Sequence, residues 1–234
     1  MKRQQHGFTL VEIAVVLVII GLLLGGVLKG QELIASARVR NLADQQGAIQ
    51  AAYFGFQDRF GAVPGDMLKT AADDAIAANI TTGGNGNGRL EDPSGSNWEE
   101  LNAVWEHLSK AEFIKGSYQG DTSSAPTAGN QNVSPNNVYG SPVIMAFHDG
   151  YTDTGTQADR LLLHIGGNTP VDIVRELDVK LDDGQPETGA VRNASEVSSP
   201  AVYQSGTGCV DTSPDPSIWD VDGNVQLCNP TYLF

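Results

Sequence analysis

Residues Phe8 to Leu28 read FTLVEIAVVLVIIGLLLGGVL, an apolar run of 21 residues with Glu12 as its single charge. A helix of that length spans the hydrocarbon core of a bilayer. A secretory signal has a basic start, an apolar stretch of roughly 7–15 residues and a small-residue cleavage site. Lys2 and Arg3 supply the basic start and Ala35-Ser36-Ala37 the cleavage site, but this run is too long and carries an acid. A plain membrane anchor accounts for the length and leaves Glu12 unexplained. Basic residues do not orient the span, because Lys2 and Arg3 on one side face Lys29, Arg38 and Arg40 on the other.

The helical pattern continues past the apolar run. Ala35, Leu42, Ile49 and Phe56 recur every seven residues, with Val39, Tyr53 and Phe60 in the row four positions on and Gln46 interrupting that second row. These positions line one stripe of a helix. No proline interrupts residues 8–63, and Gly61 followed by Pro64 is a helix stop. The spacing predicts one helix of about 50 residues, roughly 75 Å long. Tyr53, Phe54, Phe56 and Phe60 read as core packing, and Gly21, Gly25 and Gly26 are the points where the helix is weakest.

Charge divides the chain near residue 60. The whole protein has 14 Lys+Arg against 28 Asp+Glu, a net charge of −14, and residues 61–234 hold 24 of the acids and 8 of the bases. Such a surface repels phosphate backbones, so no nucleic-acid partner is expected. Within this acidic part, residues 66–80 read as helical and Thr81 to Gly88 as a loop. Asn97 and Glu100 form a capping box for a helix to about Ala111, whose apolar face is Leu101, Val104, Trp105 and Leu108. Gly116 to Asn137 reads as an exposed loop. Pro142–Phe147 and Arg160–Ile165 read as antiparallel strands, and Thr169-Pro170 opens a helix to about Leu181 with Pro170 at its first position. Further strands are expected near Ala190 and Val202.

Chemistry-bearing motifs are few. There is no G-x-S-x-G, no H-E-x-x-H and no phosphate-binding G-x-x-x-x-G-K-[ST], so an enzyme is not expected. His107, His148 and His164 stand singly. Gly83 to Gly88 has Asn at two alternate positions, as in part of a calcium loop, but Gly83 and Ser94 occupy the first and last ligand positions, so it fails as an EF-hand. Cys209 and Cys228 are too few for a zinc site; they are either one disulfide or two thiols.

The string Gly7-Phe8-Thr9-Leu10-Val11-Glu12 behind a short basic leader resembles the start of type IV pilins and type II secretion pseudopilins. The resemblance implies residues 1–7 as leader and 8–28 as membrane-spanning, filament-core helix. It further implies 29–60 as the amphipathic half of that helix and 61–234 as an acidic globular head. A membrane peptidase would cut between Gly7 and Phe8 on the cytoplasmic side and methylate the new Phe8 amine, with Glu12 serving assembly. The implied fold is α+β, the pilin fold: a long N-terminal helix packed on an antiparallel β-sheet head with extra helices.

Cys209 and Cys228 resemble the disulfide-bounded C-terminal loop of type IV pilins, and Leu181-Asp182-Asp183-Gly184-Gln185-Pro186-Glu187-Thr188-Gly189 a turn found in many pilin-like proteins. Some pseudopilins are stabilised by calcium near the C-terminus. No cofactor is expected beyond a Ca²⁺ on Asp182 and Asp183, or on the later Asp211, Asp215, Asp220 and Asp222. The function implied is a structural filament subunit. A type IV pilus, a type II secretion pseudopilus, and a minor tip pilin or adhesin with a ligand-binding head remain open. Implied partners are other pilin subunits, the prepilin peptidase and methyltransferase, a platform protein of the inner membrane and, through it, the assembly ATPase. The subunit would wait in the bacterial inner membrane lipid, single-pass with its head in the periplasm, before entering a periplasmic or cell-surface filament.

Overall fold

The computed structural model describes residues 10–91, 98–120, 125–127, 130, 132–195 and 203–234. Two compact units are present, Met1–Arg38 and Val39–Phe234. Helix α1, Leu10–Phe60, runs unbroken for 51 residues and contributes to both. It ends as expected: Gly61 takes φ +65° and donates its N–H to the Gln57 carbonyl. A left-handed residue of this kind is the usual helix stop, and glycine adopts it without a Cβ clash.

In the first unit every residue from Leu10 to Lys29 is exposed. In the second unit the predicted stripe is the buried face. Val39, Leu42, Ile49, Tyr53 and Phe56 are covered, and so is Gln46, the polar interruption. The expectation that all four aromatic residues are core is corrected at Phe54, which stays 48% exposed, and Phe60 is only half-buried. Phe54 lies one position off the stripe, so the helical period turns it outward.

The rest of the second unit is α+β, in agreement with the sequence. Strands β1 (Ile144–His148), β2 (Arg160–His164), β3 (Val191–Asn193) and β6 (Pro230–Leu233) form one antiparallel sheet in the order β1-β2-β6-β3. A separate two-stranded ribbon pairs β4 (Val210–Asp211) with β5 (Ile218–Trp219). Alternation along the strands sends Met145, Leu163 and Tyr232 toward α1, where they meet Ile49, Tyr53 and Phe56 together with Val104, Trp105 and Leu108. Trp105 is fully buried there. Removing a side chain of that size from a core costs about 3–5 kcal/mol.

Helix α3, Glu99–Lys110, supplies that tryptophan and departs from expectation at its start. Asn97 lies outside the described residues, and Glu100 does not close a capping box. Its carboxylate accepts instead from the amides of Asn85 and Glu91. The helix is buried on its polar side too, because that side holds the glycine-rich loop. Glu106 accepts from the Thr81 amide and hydroxyl and from the Gly120 amide, and it pairs with Lys110 at 2.8 Å. His107 takes the Gly65 N–H on Nδ1 and donates from Nε2 to the Thr82 carbonyl.

Three boundaries also shift. Helix α2 covers only Lys69–Ala75 of the predicted 66–80, since residues 64–67 turn and Asn79 is left-handed at φ +71°. Helix α4, Val171–Leu181, begins one residue late, with Pro170 in the N-cap position. Of the predicted exposed loop 116–137, Val133, Ser134 and Asn137 are buried; the Asn137 side chain accepts from Tyr139 and Ser141 and donates to the Gly166 carbonyl. The strand near Ala190 is β3, while Val202 lies outside the described residues.

Candidate functional site

The first half of α1 is the feature that folding of this chain alone does not explain. Large apolar side chains from Leu10 to Leu28 stand 45–86% exposed, and Glu12 sits in the first helical turn. Soluble monomers rarely expose a contiguous apolar patch beyond a few hundred Å², so lipid or other chains must cover this surface. Length and composition allow it to cross a membrane. A Cβ added at Gly21, Gly25 or Gly26 would meet nothing, and the helix continues through all three. Gly7 and Phe8 lie outside the described residues.

The C-terminal candidates come together around α4. Cys209 and Cys228 form a disulfide, both fully buried, packed with Val171, Val174 and Trp219. It closes the segment carrying β4 and β5 and ties it beside α4. The turn Leu181–Gly189 is stapled by its own acids. Asp182 Oδ2 accepts from the amides of Ala190 and Val191, Asp183 Oδ1 from Gln185, and Asp183 Oδ2 from the Thr188 hydroxyl.

Sequence reading named Asp182 and Asp183 and missed Asp178, one helical turn earlier. One oxygen from each of the three carboxylates lies within 4.8 Å of the others. Asp178 is fully buried; its Oδ2 accepts the Trp219 indole N–H at 2.8 Å, and its Oδ1 has no hydrogen-bond partner. Burial pushes the Asp178 carboxyl up to about 7, with the Asp182 and Asp183 charges acting in the same direction and the Trp219 indole and Gly184 amide opposing. These three acids are the residues able to hold a metal. The i, i+4 spacing of Asp178 and Asp182 was the signal, hidden by the apolar neighbours that mark Asp178 as part of a helix face.

The scattered histidines are also less separate than the sequence indicates. His148 on β1 and His164 on β2 are buried, and their Nε2 atoms meet at 2.9 Å, with Ala146 small enough to let them approach on one face of the sheet. The Gly150 N–H occupies His148 Nδ1, so the shared proton belongs to His148 Nε2. His164 then carries its own proton on Nδ1, where Thr231 Oγ1 is 2.8 Å away. Tyr203 lies over both rings. Burial lowers both imidazoles, His148 to about 4 and His164 well below the ordinary histidine range. With both histidines neutral and locked in the core, the pair serves packing.

Residues 2–28 match the model of the prokaryotic N-terminal methylation motif, the signature of type IV pilins and pseudopilins. No curated protein and no solved structure matches the chain. The motif, the apolar helix behind it and the disulfide mark a type IV pilin-like or pseudopilin protein, of a structural rather than an enzymatic kind.

Proposed function

From the methylation signature at residues 2–28, we propose that the chain is a prepilin, cut between Gly7 and Phe8, methylated on the Phe8 amine, and polymerised through α1 as a structural subunit of a type IV pilus. The observation that carries the reading is the exposed apolar half of α1 directly behind the cleavage motif, a surface that needs lipid before assembly and other subunits afterwards. The subunit waits in the inner membrane with its head in the periplasm. A prepilin peptidase and methyltransferase process it, and a platform protein coupled to the assembly ATPase feeds it into the filament. The buried Cys209–Cys228 loop favours a pilus over the alternative of a type II secretion pseudopilus.

Intact-mass measurement and filament shearing test the proposal. Wild type is expected to begin at a methylated Phe8, and Gly7→Arg to remain membrane-bound at full length. A mature protein beginning at Arg38, just after Ala35-Ser36-Ala37, would make the segment a secretory signal and end the assignment. Abundance separates the versions: a major pilin dominates sheared filaments, whereas a pseudopilin or a tip adhesin is scarce in them. A Ca²⁺ on Asp178, Asp182 and Asp183 belongs to the same reading, supported by the proximity of the three carboxylates. Added calcium should then raise the unfolding temperature of wild type and leave that of Asp182→Ala unmoved.

A further inference from the structure

The loop that α3 holds contains two Asn-Gly pairs, Asn85-Gly86 and Asn87-Gly88, all four residues exposed. This dipeptide is chemically the least durable in a protein. The glycine nitrogen, unhindered by a side chain, attacks the carbonyl carbon of the preceding asparagine side chain. A C–N bond forms, ammonia leaves, and the amide proton goes to solvent base. Water then opens the resulting succinimide at either carbonyl, giving aspartate or isoaspartate. The nucleophile is the deprotonated glycine amide, so whatever holds that N–H sets the rate.

Here both glycine amides are held by one buried residue. Asp66 is 3% exposed. Its Oδ1 accepts from Gly86 N at 2.8 Å and from Asn87 N at 3.1 Å, and its Oδ2 from Gly88 N at 2.7 Å. The Asp66 carbonyl takes the Gly86 N–H as well. A carboxylate bonded to an amide N–H opposes loss of that proton, since the product would be an anion against an anion. The electrophiles are pinned too. Asn85 Oδ1 accepts from Asn87 N and Asn87 Oδ1 from Arg89 N, each at 2.9 Å, while Asn87 Nδ2 donates to Glu91. Gly84 packs its Cα against Asp66 so closely that a Cβ there would lie 2.5 Å from the Asp66 Cα, which keeps the carboxylate under the loop.

We propose that Asn85-Gly86 and Asn87-Gly88 are latent self-modification sites, preserved as asparagine because Asp66 holds the two glycine amides that would otherwise attack. Conversion at either site places a new carboxylate beside Asp66, Glu91 and Glu100, and isoaspartate lengthens the backbone by one carbon. The first event therefore loosens the loop and exposes the second site.

The test uses the purified full-length protein in detergent, kept warm at mildly alkaline pH and followed by peptide mapping that resolves isoaspartate. A synthetic peptide of residues 81–90 gives the unprotected rate. Wild type should modify at both asparagines at least about tenfold more slowly than the peptide, the factor that corresponds to one charged hydrogen bond of ordinary strength. Asp66→Asn should approach the peptide rate. Wild type matching the peptide overturns the proposal, as does a folded Asp66→Asn that modifies no faster than wild type. Hydrogen exchange on wild type reads the same contact without a variant: protected Gly86 and Gly88 amides support the role of Asp66, and freely exchanging ones overturn it.

Discussion

Asp178 sits buried between Trp219 and two further carboxylates, and it opposes the histidine pair in its effect on stability. A carboxyl raised to about 7 in the fold binds its proton more tightly there than in the unfolded chain, so its contribution is full below its ordinary 3.8 and is lost as pH rises through about 7. His148, lowered from 6.5 to about 4, contributes fully above 6.5 and loses that contribution as pH falls toward 4. Across the acid range the two partly cancel. Asp178→Asn, which keeps an oxygen for the Trp219 indole, should therefore be more stable than wild type above about pH 7, by on the order of 3 kcal/mol. It should also lose stability more steeply on acidification, as denaturant titrations at several pH values would show. Glu12 stands apart from this head chemistry. An acid at the centre of a spanning helix costs about 2.5–3.5 kcal/mol, less toward an end. On the proposed function its charge is used in the filament, against the Phe8 amine of a neighbouring subunit. Glu12→Val should then insert and be cleaved as well as wild type, while the yield of sheared filaments falls sharply. Normal yield, with the variant as the only copy, would remove Glu12 from assembly.

Among the elements, those governed by periodicity and hydropathy were legible in the sequence: α1 with its stripe, the β1–β2 hairpin and α4 lie within a few residues of expectation. What escaped is what tertiary contacts decide. Glu100 has the spacing of a capping residue, yet the loop amides of Asn85 and Glu91 claim its carboxylate. Gly83 and Gly84 resemble an ordinary flexible turn, but they are a close approach. A Cβ on Gly83 would lie 2.5 Å from both the Lys69 nitrogen and the Met67 oxygen. Gly83→Ala should lower head stability by about 1–3 kcal/mol, as overpacking does elsewhere. The site was legible in the same uneven way. The cleavage motif and the cysteine pair stand in the sequence, whereas joining Asp178 to Asp182 and Asp183 required knowing where Trp219 packs. The Cys209–Cys228 loop belongs to this scale as well. Cys228→Ser should cost the head about 2–5 kcal/mol by denaturant unfolding, and alkylation of the unreduced wild type should find no thiol.

For the molecule as a whole, the order β1-β2-β6-β3 means that the strand joining the two sides of the sheet is the last to be reached along the chain. β2 and β3 do not pair with each other; each pairs with Pro230–Leu233. A ribosome delivers residues in order, so a nascent chain can close the β1–β2 hairpin early and still leave β2 with an open edge and β3 without a partner. Open edges of this kind invite pairing with the wrong strand. The head thus passes through synthesis incomplete and closes in one late step, after Leu233 has emerged. A stop codon at Pro230 should accordingly remove far more than four residues of structure: in limited proteolysis the shortened chain should be cut throughout Val39–Asn229, where the full chain resists. Birth order, rather than contact strength, makes the C-terminal end the part of this protein least able to tolerate premature termination.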